Sequence, residues 1–393
     1  MQRTTHYGIC ADLRRSHGAY VYDLVTDRLV LDGFGQYSSL PLGYGHPVFR
    51  TTAFLEEAEP HIGVKLALCE MTTPSVRKAV LDILDASPGF DRVHFTTTGS
   101  SAVEAAVKAA IDQRGFGPSS RVVTFQSNFH GIYGYGGALT SAAGPAMSRV
   151  AGFPNSQIAL MLPDPRDGAE SSNVLAQLEH KLSIGFPIAA VLVEPIQCTA
   201  GDRQLSAGVL RQIRRICDDH MVPLIFDEVQ TGFGATGAMW YAQHVGVLPD
   251  IIVFGKRAQV SGILARQWIG QIFDRPERLE ATWDGNALDL IRCRTILKTY
   301  WRENILTNVQ RMGSLFLQSL QEQGLSARGV GLLIAIDFSG REERDRFQQR
   351  LWQDQAMTVI RTGERTVRVR FPLTLDEETC WQAVQRIRCA AES

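Results

Sequence analysis

A lysine directly follows a continuous apolar run in the second half of the chain, at Lys256 in DIIVFGK (250–256). The run predicts a buried strand, so the ammonium group lies where the strand leaves the core. Burial and nearby positive charge lower the pKa of a lysine, and its free amine can then attack an aldehyde. Lys256 is therefore a candidate nucleophile for a carbonyl cofactor. The alternative is an ordinary lysine that reaches water at the end of a strand.

A carboxylate ends a second apolar run, at Asp227 in VPLIFDE (222–228). A buried carboxylate is costly unless it is paired. It can cap a helix or pair with an arginine, or it can pair with a protonated ring nitrogen of a cofactor. Gln230, three residues later, lies within reach of the same cofactor.

A Thr/Gly/Ser loop, FTTTGSS (95–101), leads into a predicted helix. The free backbone N–H groups and the positive dipole of such a helix end favour a phosphate, although many helices begin with a serine cap and bind nothing. Phe129, after a third apolar run, can stack on an aromatic ring. A phosphate loop, a ring-stacking side chain, Asp227 and Lys256 together predict one site for pyridoxal 5′-phosphate, in which the carboxylate strengthens the electron sink.

Short apolar runs alternate with amphipathic segments through the middle of this chain of 393 residues. This alternation predicts an α/β fold with a mostly parallel sheet and helices on both faces, and ligands of such sheets bind beyond the carboxyl ends of the strands. The predicted strands are 121–127, 189–195, 222–228 and 250–256, and the predicted helices include 101–114 and 205–220.

The two ends of the chain have a different pattern. Residues 17–32 predict a β-hairpin with a Thr-Asp turn, and residues 328–393 combine candidate strands with candidate helices. We therefore predict a large cofactor-binding domain over residues 49–285. A smaller α+β domain is predicted from residues 1–48 and 286–393.

Composition excludes several classes of function. The net charge of −1 argues against nucleic acid as a partner, and no apolar run is long enough to cross a membrane. The N-terminus lacks the apolar core of a signal peptide. Seven scattered cysteines without a Cys-x-x-Cys motif predict reduced thiols in a cytoplasm and no metal site.

The motifs TTTGSSAVEAAVKAA, SNFHG, VEPIQ, IFDEVQTG, PDIIVFGK and TWDGN occur in this order. With them the chain resembles the class III pyridoxal-phosphate aminotransferases over about residues 17–390. Within that class, FGKRAQVSG, EPIQ-x-x-x-GDR and TWDGN resemble the lysine 6-aminotransferases. The resemblance implies fold type I of the pyridoxal-phosphate enzymes, an amine donor and a 2-oxo acid acceptor as substrates, and a homodimer with two sites at its interface.

The resemblance also implies roles for matching residues. Lys256 would form the internal aldimine with the cofactor and carry a proton between its C4′ and the substrate Cα. Asp227 would pair with the pyridine nitrogen, and Arg370 would bind the α-carboxylate of glutamate or 2-oxoglutarate. The other implied cofactor contacts are Gly99 and Ser100 at the phosphate, Phe129 and Val229 on the ring faces, Gln230 at the phenolic oxygen, Glu194 near the ring, and Thr282 at the phosphate of the neighbouring subunit's cofactor.

Two positions in the implied substrate pocket depart from the lysine 6-aminotransferases. Their FHGR motif, whose arginine binds a distal carboxylate, reads FHGI here, with Ile132 in place of the cation. Their glutamate in EPIQ-x-E, which pairs with the arginine of the Arg370 type, is Thr199 here. Because an apolar side chain cannot pair with a carboxylate, these changes predict a different amine donor. Tyr37 and Tyr133 are candidates for a hydroxyl contact to it.

Three hypotheses follow. The first is an aminotransferase that moves a terminal amine of a lysine-like or specialised substrate, with glutamate and 2-oxoglutarate as its partner pair. The second is an ordinary L-lysine 6-aminotransferase with a rearranged pocket. The third is a binding or regulatory protein that has lost turnover. Other chemistries of the cofactor, such as decarboxylation or racemisation, also remain open.

Overall fold

The computed structural model describes residues 7–117, 119–142, 157–165 and 169–392. The chain divides into two compact units. The larger unit comprises Ala58–Phe233 and Ala238–Arg294, and the smaller comprises Met1–Glu57, Gly234–Gly237 and Thr295–Ser393. The domain limits expected at residues 48 and 285 stay a prediction.

Seventeen strands and twelve α-helices are present in the described residues. The strands are β1 (Ala11–His17), β2 (Tyr20–Asp23), β3 (Arg28–Asp32), β4 (Arg92–Thr96), β5 (Arg121–Phe125), β6 (Ala159–Leu162), β7 (Ile188–Val193), β8 (Ile196–Gln197), β9 (Arg203–Gln204), β10 (Leu224–Asp227), β11 (Ile251–Phe254), β12 (Ser261–Ala265), β13 (Ser326–Val330), β14 (Leu333–Asp337), β15 (Met357–Thr358), β16 (Ile360–Thr362) and β17 (Thr366–Val369). The helices are α1 (Gly35–Ser38), α2 (Thr52–Ala58), α3 (Pro74–Asp85), α4 (Gly99–Arg114), α5 (Gly134–Ala138), α6 (Ala169–Ser183), α7 (Ala207–Asp219), α8 (Tyr241–Val245), α9 (Ala287–Arg302), α10 (Ile305–Glu322), α11 (Arg341–Gln353) and α12 (Glu377–Glu392).

The larger unit contains a seven-stranded sheet in the order β4-β12-β11-β10-β7-β5-β6. Its strands pair in parallel except at β12, which is antiparallel to both β4 and β11. This topology confirms the predicted α/β fold with a mostly parallel sheet. Each of the four strands predicted from the apolar runs is present in it.

The core of this sheet explains why its strands are continuously apolar. All six residues of β7 are buried, because both faces of the strand are covered. Helix α4 packs on the sheet through an alanine- and valine-rich face, in one cluster with Ile225, Val253 and Ile263. Small alanine side chains let the helix axis lie close to the strands. The helix that carries the candidate phosphate loop is thereby fixed against the core.

The smaller unit contains two four-stranded sheets, β1-β2-β3-β15 and β13-β14-β17-β16. Strands β2 and β3 form the hairpin predicted from residues 17–32, with Tyr20 opposite Leu31. The short strand β15 pairs in parallel with β3, so segments from the two ends of the chain share one sheet. No helix of the described residues has the length and apolar character required to span a membrane.

Candidate active site

Six of the seven strands of the large sheet end at the same edge. Since β12 lies antiparallel between β4 and β11, strands β4, β11, β10, β7, β5 and β6 all point in one direction. The predicted site residues follow these strand ends in the larger unit: Gly99 after β4, Phe129 after β5, Glu194 after β7, Asp227 at the end of β10 and Lys256 after β11.

Lys256 occupies a sharp turn after β11. Its φ angle is +50°, in the left-handed region that residues other than glycine seldom adopt. The residue is partly buried and lies between the buried residues Gly255 and Arg257. A Cβ at Gly255 would lie 2.8 Å from Ser261 Oγ, so the tight approach of the chain here depends on glycine. Strained backbone of this kind is common at functional sites.

Asp227 is a buried carboxylate with two hydrogen-bond donors. Its Oδ2 lies 2.8 Å from Nδ1 of His130, and its Oδ1 accepts the backbone N–H of Val229 at 3.2 Å. Both side chains are almost entirely excluded from water. The sequence analysis assigned no role to His130, although the SNFHG motif places it beside Phe129. The contacts on both oxygens hold the carboxylate in place, which suits a partner for a ring nitrogen.

Glu228, the next residue, has a structural partner set. Its carboxylate accepts the backbone N–H groups of Tyr241 at 2.6 Å and Ala242 at 2.9 Å, at the start of α8. Burial raises the pKa of Glu228 to about 7. Glu228 therefore ties the segment after β10 to α8, while Asp227 faces a different set of groups.

The N-terminus of α4 has the structure of an anion site. Thr98 caps the helix by accepting the Ser101 N–H at 3.2 Å, which leaves Gly99 and Ser100 in the first turn. A Cβ at Gly99 would lie 3.1 Å from Val229, so the helix start packs closely on the segment after Asp227. Ser100 Oγ accepts the Ile132 N–H at 3.2 Å. The loop after β5 is thus joined to this helix end.

The side chains that could contact an aromatic ring belong to the same set of contacting residues. Val229 also packs near Gly255, where an added Cβ would lie 3.6 Å from it. Phe129 is partly buried, and Gln230 presents a buried Oε1 with no hydrogen-bond partner among the residues the structure describes. A buried amide oxygen without a partner is costly and marks a place for a ligand. These residues together fit pyridoxal phosphate: a helix end for phosphate, apolar groups for the ring, Asp227 for the nitrogen and Lys256 for the carbonyl.

The remaining predicted site residues differ in their burial and in their contacts with this set of residues. Ile132 is joined to it through Ser100, and its side chain is 54% exposed. Tyr133 is 46% exposed, and its hydroxyl hydrogen-bonds the side chain of Thr98. Glu194 is buried and Thr199 is partly buried, on either side of β8.

Thr282 is exposed in a short loop of the larger unit, where Ala281 N–H donates to Asp284 Oδ2 at 3.1 Å. The two substrate candidates of the smaller unit are Tyr37 and Arg370. Tyr37 is 38% exposed and contacts the ring of Phe34 edge-on. Arg370 is fully buried, and its Nη1 donates to the carbonyl oxygen of Val369 at 3.0 Å.

A family model described as "Aminotransferase class-III" matches residues 2–390. The chain belongs to this family, and it is a pyridoxal-phosphate-dependent aminotransferase of fold type I. Membership of this family confirms pyridoxal phosphate as the cofactor and amino transfer as the reaction class, as expected from the motifs. It argues against the hypothesis of a binding or regulatory protein that has lost turnover.

Named relatives share most of their length with the chain. The L-lysine-epsilon aminotransferase of Mycobacterium tuberculosis is 32% identical, with 97% of this chain and 91% of the relative covered. The protein of the same name from Streptomyces clavuligerus is 30% identical, with 97% and 90% covered. The solved structure of lysine aminotransferase from M. tuberculosis in the internal aldimine form superposes with a TM-score of 0.92 at 29% identity, covering 100% of this chain and 96% of the other. An ornithine aminotransferase of Toxoplasma gondii, at 24% identity and a TM-score of 0.86 with 100% and 92% covered, shares the fold.

Proposed function

We propose that Lys256 is the amine that holds the cofactor and that Asp227 is the carboxylate at its ring nitrogen. Both lie at one sheet edge, where Val229 donates to Asp227 and packs near Gly99 and near Gly255, the residue before Lys256; this supports the assignment. Gly99 and Ser100 are proposed to bind the phosphate, and Phe129 and Val229 to enclose the ring. Gln230 offers its amide to the phenolic oxygen, and Glu194 lies near the ring.

Bound pyridoxal phosphate supplies a carbonyl carbon that takes up the amino group and a ring that delocalises electrons from the substrate carbon. With the cofactor bound, the Lys256 amine would hold its carbonyl carbon and, once released, would move a proton at the substrate carbon. Asp227, whose oxygens accept from His130 and Val229, would pair with the ring nitrogen of the bound cofactor. The N-terminus of α4 orients the phosphate and so fixes the distance between Lys256 and the reacting carbon.

The amine donor is proposed to be a terminal amine whose far end is not a free carboxylate. Ile132 is the observation that carries this proposal: its backbone is bonded to Ser100, and it presents a side chain that is 54% exposed and apolar. A carboxylate beside it would lose hydration without gaining a charged partner. Thr199 likewise supplies no charge. L-lysine itself, the substrate named for the relatives from M. tuberculosis and S. clavuligerus, is the second candidate.

Glutamate and 2-oxoglutarate are proposed as the partner pair, with Arg370 as the group that binds the α-carboxylate. A homodimer is proposed because Thr282 is exposed on its loop and is therefore accessible to a second subunit's cofactor. A cytoplasmic location remains a prediction from the cysteine pattern.

The donor proposal is tested with purified holoenzyme and four amines: L-lysine, lysinamide, 1,5-diaminopentane and ornithine. The rate at which each amine bleaches the visible absorbance of the bound cofactor measures the first half-reaction. We expect lysinamide or 1,5-diaminopentane to react faster than L-lysine. A faster reaction with L-lysine than with any other amine would refute the altered donor and support the second candidate.

Two variants sharpen this comparison. Ile132→Arg restores a cation, and we expect it to raise the kcat/KM for L-lysine by roughly tenfold or more, because a charged hydrogen bond contributes about 1.5–3 kcal/mol. The matched control is Ile184→Arg, an exposed isoleucine elsewhere in the larger unit, which should change nothing. Lys256→Ala should remove the visible band altogether, and a retained band would contradict the assignment of the nucleophile.

A further inference from the structure

A chain of buried polar side chains leads away from Asp227 through His130. Imidazole Nδ1 lies 2.8 Å from Asp227 Oδ2, and Nε2 on the other side of the ring lies 3.2 Å from Thr124 Oγ1. The amide nitrogen of Asn128 in turn hydrogen-bonds Thr124 Oγ1. The four residues are Asp227, His130, Thr124 and Asn128, and each is at most 5% exposed. Such a buried network is shielded from water, so each proton in it has a defined place.

The far end of this network fixes its direction. Asn128 Oδ1 lies 2.9 Å from the backbone nitrogen of Ser141, which can only donate. The oxygen of the Asn128 amide therefore faces Ser141, and its NH₂ group faces Thr124. Thr124 Oγ1 accepts from that NH₂ group, so its own hydrogen is free to donate to His130 Nε2. His130 Nε2 is then an acceptor, and the single imidazole proton lies on Nδ1, where it is donated to Asp227.

We propose that Thr124 and Asn128 are positioning residues that hold the imidazole proton of His130 on Nδ1, from which it is donated to Asp227. The inference rests on the proposed role of Asp227 at the ring nitrogen. In this tautomer Nδ1 has a hydrogen to donate to Asp227 Oδ2, so the carboxylate is held in one orientation towards the ring nitrogen of the bound cofactor.

The network also opposes a proton on Nε2 of His130. If Nε2 carried a proton, Thr124 Oγ1 would accept from both His130 and Asn128. Its own hydrogen would then have no acceptor among the hydrogen bonds of the described residues. A buried donor left without an acceptor is unfavourable, so the tautomer with its proton on Nδ1 is preferred.

The first test compares Thr124→Val with Thr124→Ser in the holoenzyme. Valine has nearly the shape of threonine but lacks the hydroxyl, whereas serine keeps it. The readout is ¹⁵N NMR of protein labelled at histidine, with the His130 signals identified by their loss in His130→Gln. In the parent protein and in Thr124→Ser, we expect Nδ1 to carry a proton and Nε2 to carry none. In Thr124→Val, Nε2 loses the hydroxyl that donates to it, so its ¹⁵N signal should move towards that of an imidazole nitrogen without a hydrogen bond.

The second test reverses the polarity of the network with Asn128→Asp. An ionised aspartate still accepts from the Ser141 N–H, but it cannot donate to Thr124, so it draws the threonine hydrogen towards itself. His130 Nε2 then faces a lone pair instead of a hydrogen. We expect a proton on Nε2 in this variant at neutral pH, and a roughly tenfold slower bleaching of the cofactor by its best amine.

The proposal is overturned if Thr124→Val, folded and loaded with cofactor, leaves the His130 Nε2 signal as it is in the parent, or if Asn128→Asp keeps the proton on Nδ1 alone. Failure of the proposed function looks different. In that case the parent enzyme itself would lack the cofactor band that depends on Lys256, whatever the position of the His130 proton. If Thr124→Val does not fold, Asn128→Asp decides the question, since it changes no more than an amide to a carboxylate.

Discussion

Alanine at Gly131 should loosen the phosphate end of the site. Gly131 has a φ angle of +136°, and a Cβ there would lie 2.4 Å from Ser100 Oγ, 2.9 Å from its Cβ and 3.1 Å from its Cα. The backbone conformation alone costs about 1–3 kcal/mol for a residue with a side chain. Overpacking against Ser100 adds about 1–3 kcal/mol, because the Cα cannot swing aside as a side-chain tip can. We therefore expect Gly131→Ala to lower the free energy of unfolding by about 2–6 kcal/mol.

Gly115→Ala is the matched control, since Gly115 follows the C-terminus of α4, the helix whose first turn contains Ser100. It has a φ angle of +65°, but an added Cβ would meet no atom within 4 Å. Its expected cost is about 1–2 kcal/mol for the left-handed conformation, partly offset by the stiffer unfolded chain. Urea unfolding of both variants and fluorescence titration with cofactor give the comparison. Equal stability in the two variants, or unchanged cofactor affinity in Gly131→Ala, would refute the reasoning about Ser100.

Two further predictions concern buried carboxylates of the larger unit. Asp250 accepts from Arg214 at 2.7 Å and from the Leu224 N–H at 2.8 Å, so Asp250→Ala should lower the free energy of unfolding by about 3–5 kcal/mol. Asp218→Ala, which removes the exposed partner of the same arginine, should cost about 1 kcal/mol or less, and equal losses in urea unfolding would contradict this. Glu228 has a pKa raised from 4.5 to about 7, so the folded state binds about one more proton than the unfolded state between these values, and stability falls as pH rises through that window. Glu228→Gln should flatten the slope of unfolding free energy against pH between 4.5 and 7 by about one proton, and an unchanged slope would contradict the assignment.

The positions of Lys256 and Asp227 could be predicted because each follows a run of apolar residues that can only be a buried strand. The start of α4 was likewise predictable from Thr98 and the Gly/Ser pair that follows it. These inferences use local pattern alone, and the structure places the three segments at one edge of one sheet.

The role of His130 could not be predicted in the same way. It lies 97 residues from Asp227 in sequence, and a histidine next to a phenylalanine has no local signal for its distant partner. Strand β12 was also missed, because its five residues follow the turn at Lys256 so closely that the segment looks like a polar loop. Both features arise from tertiary pairing, which one sequence does not reveal.

Strand β12 has a consequence for how far apart the groups of the site are. Neighbouring strands lie about 4.8 Å apart, so β10 and β11, the strands that lead to Asp227 and Lys256, are about 5 Å apart, while β4 and β11, with β12 between them, are about 10 Å apart. The backbone hydrogen bonds of the sheet therefore set the spacing between the strands that lead to Lys256, to Asp227 and to the start of α4. Because backbone hydrogen bonds form with almost any side chain, the spacing between the strands is kept when side chains are replaced. A replacement in the substrate pocket, such as isoleucine for arginine at position 132, can then change which substrate is bound without moving the strands that position the cofactor residues.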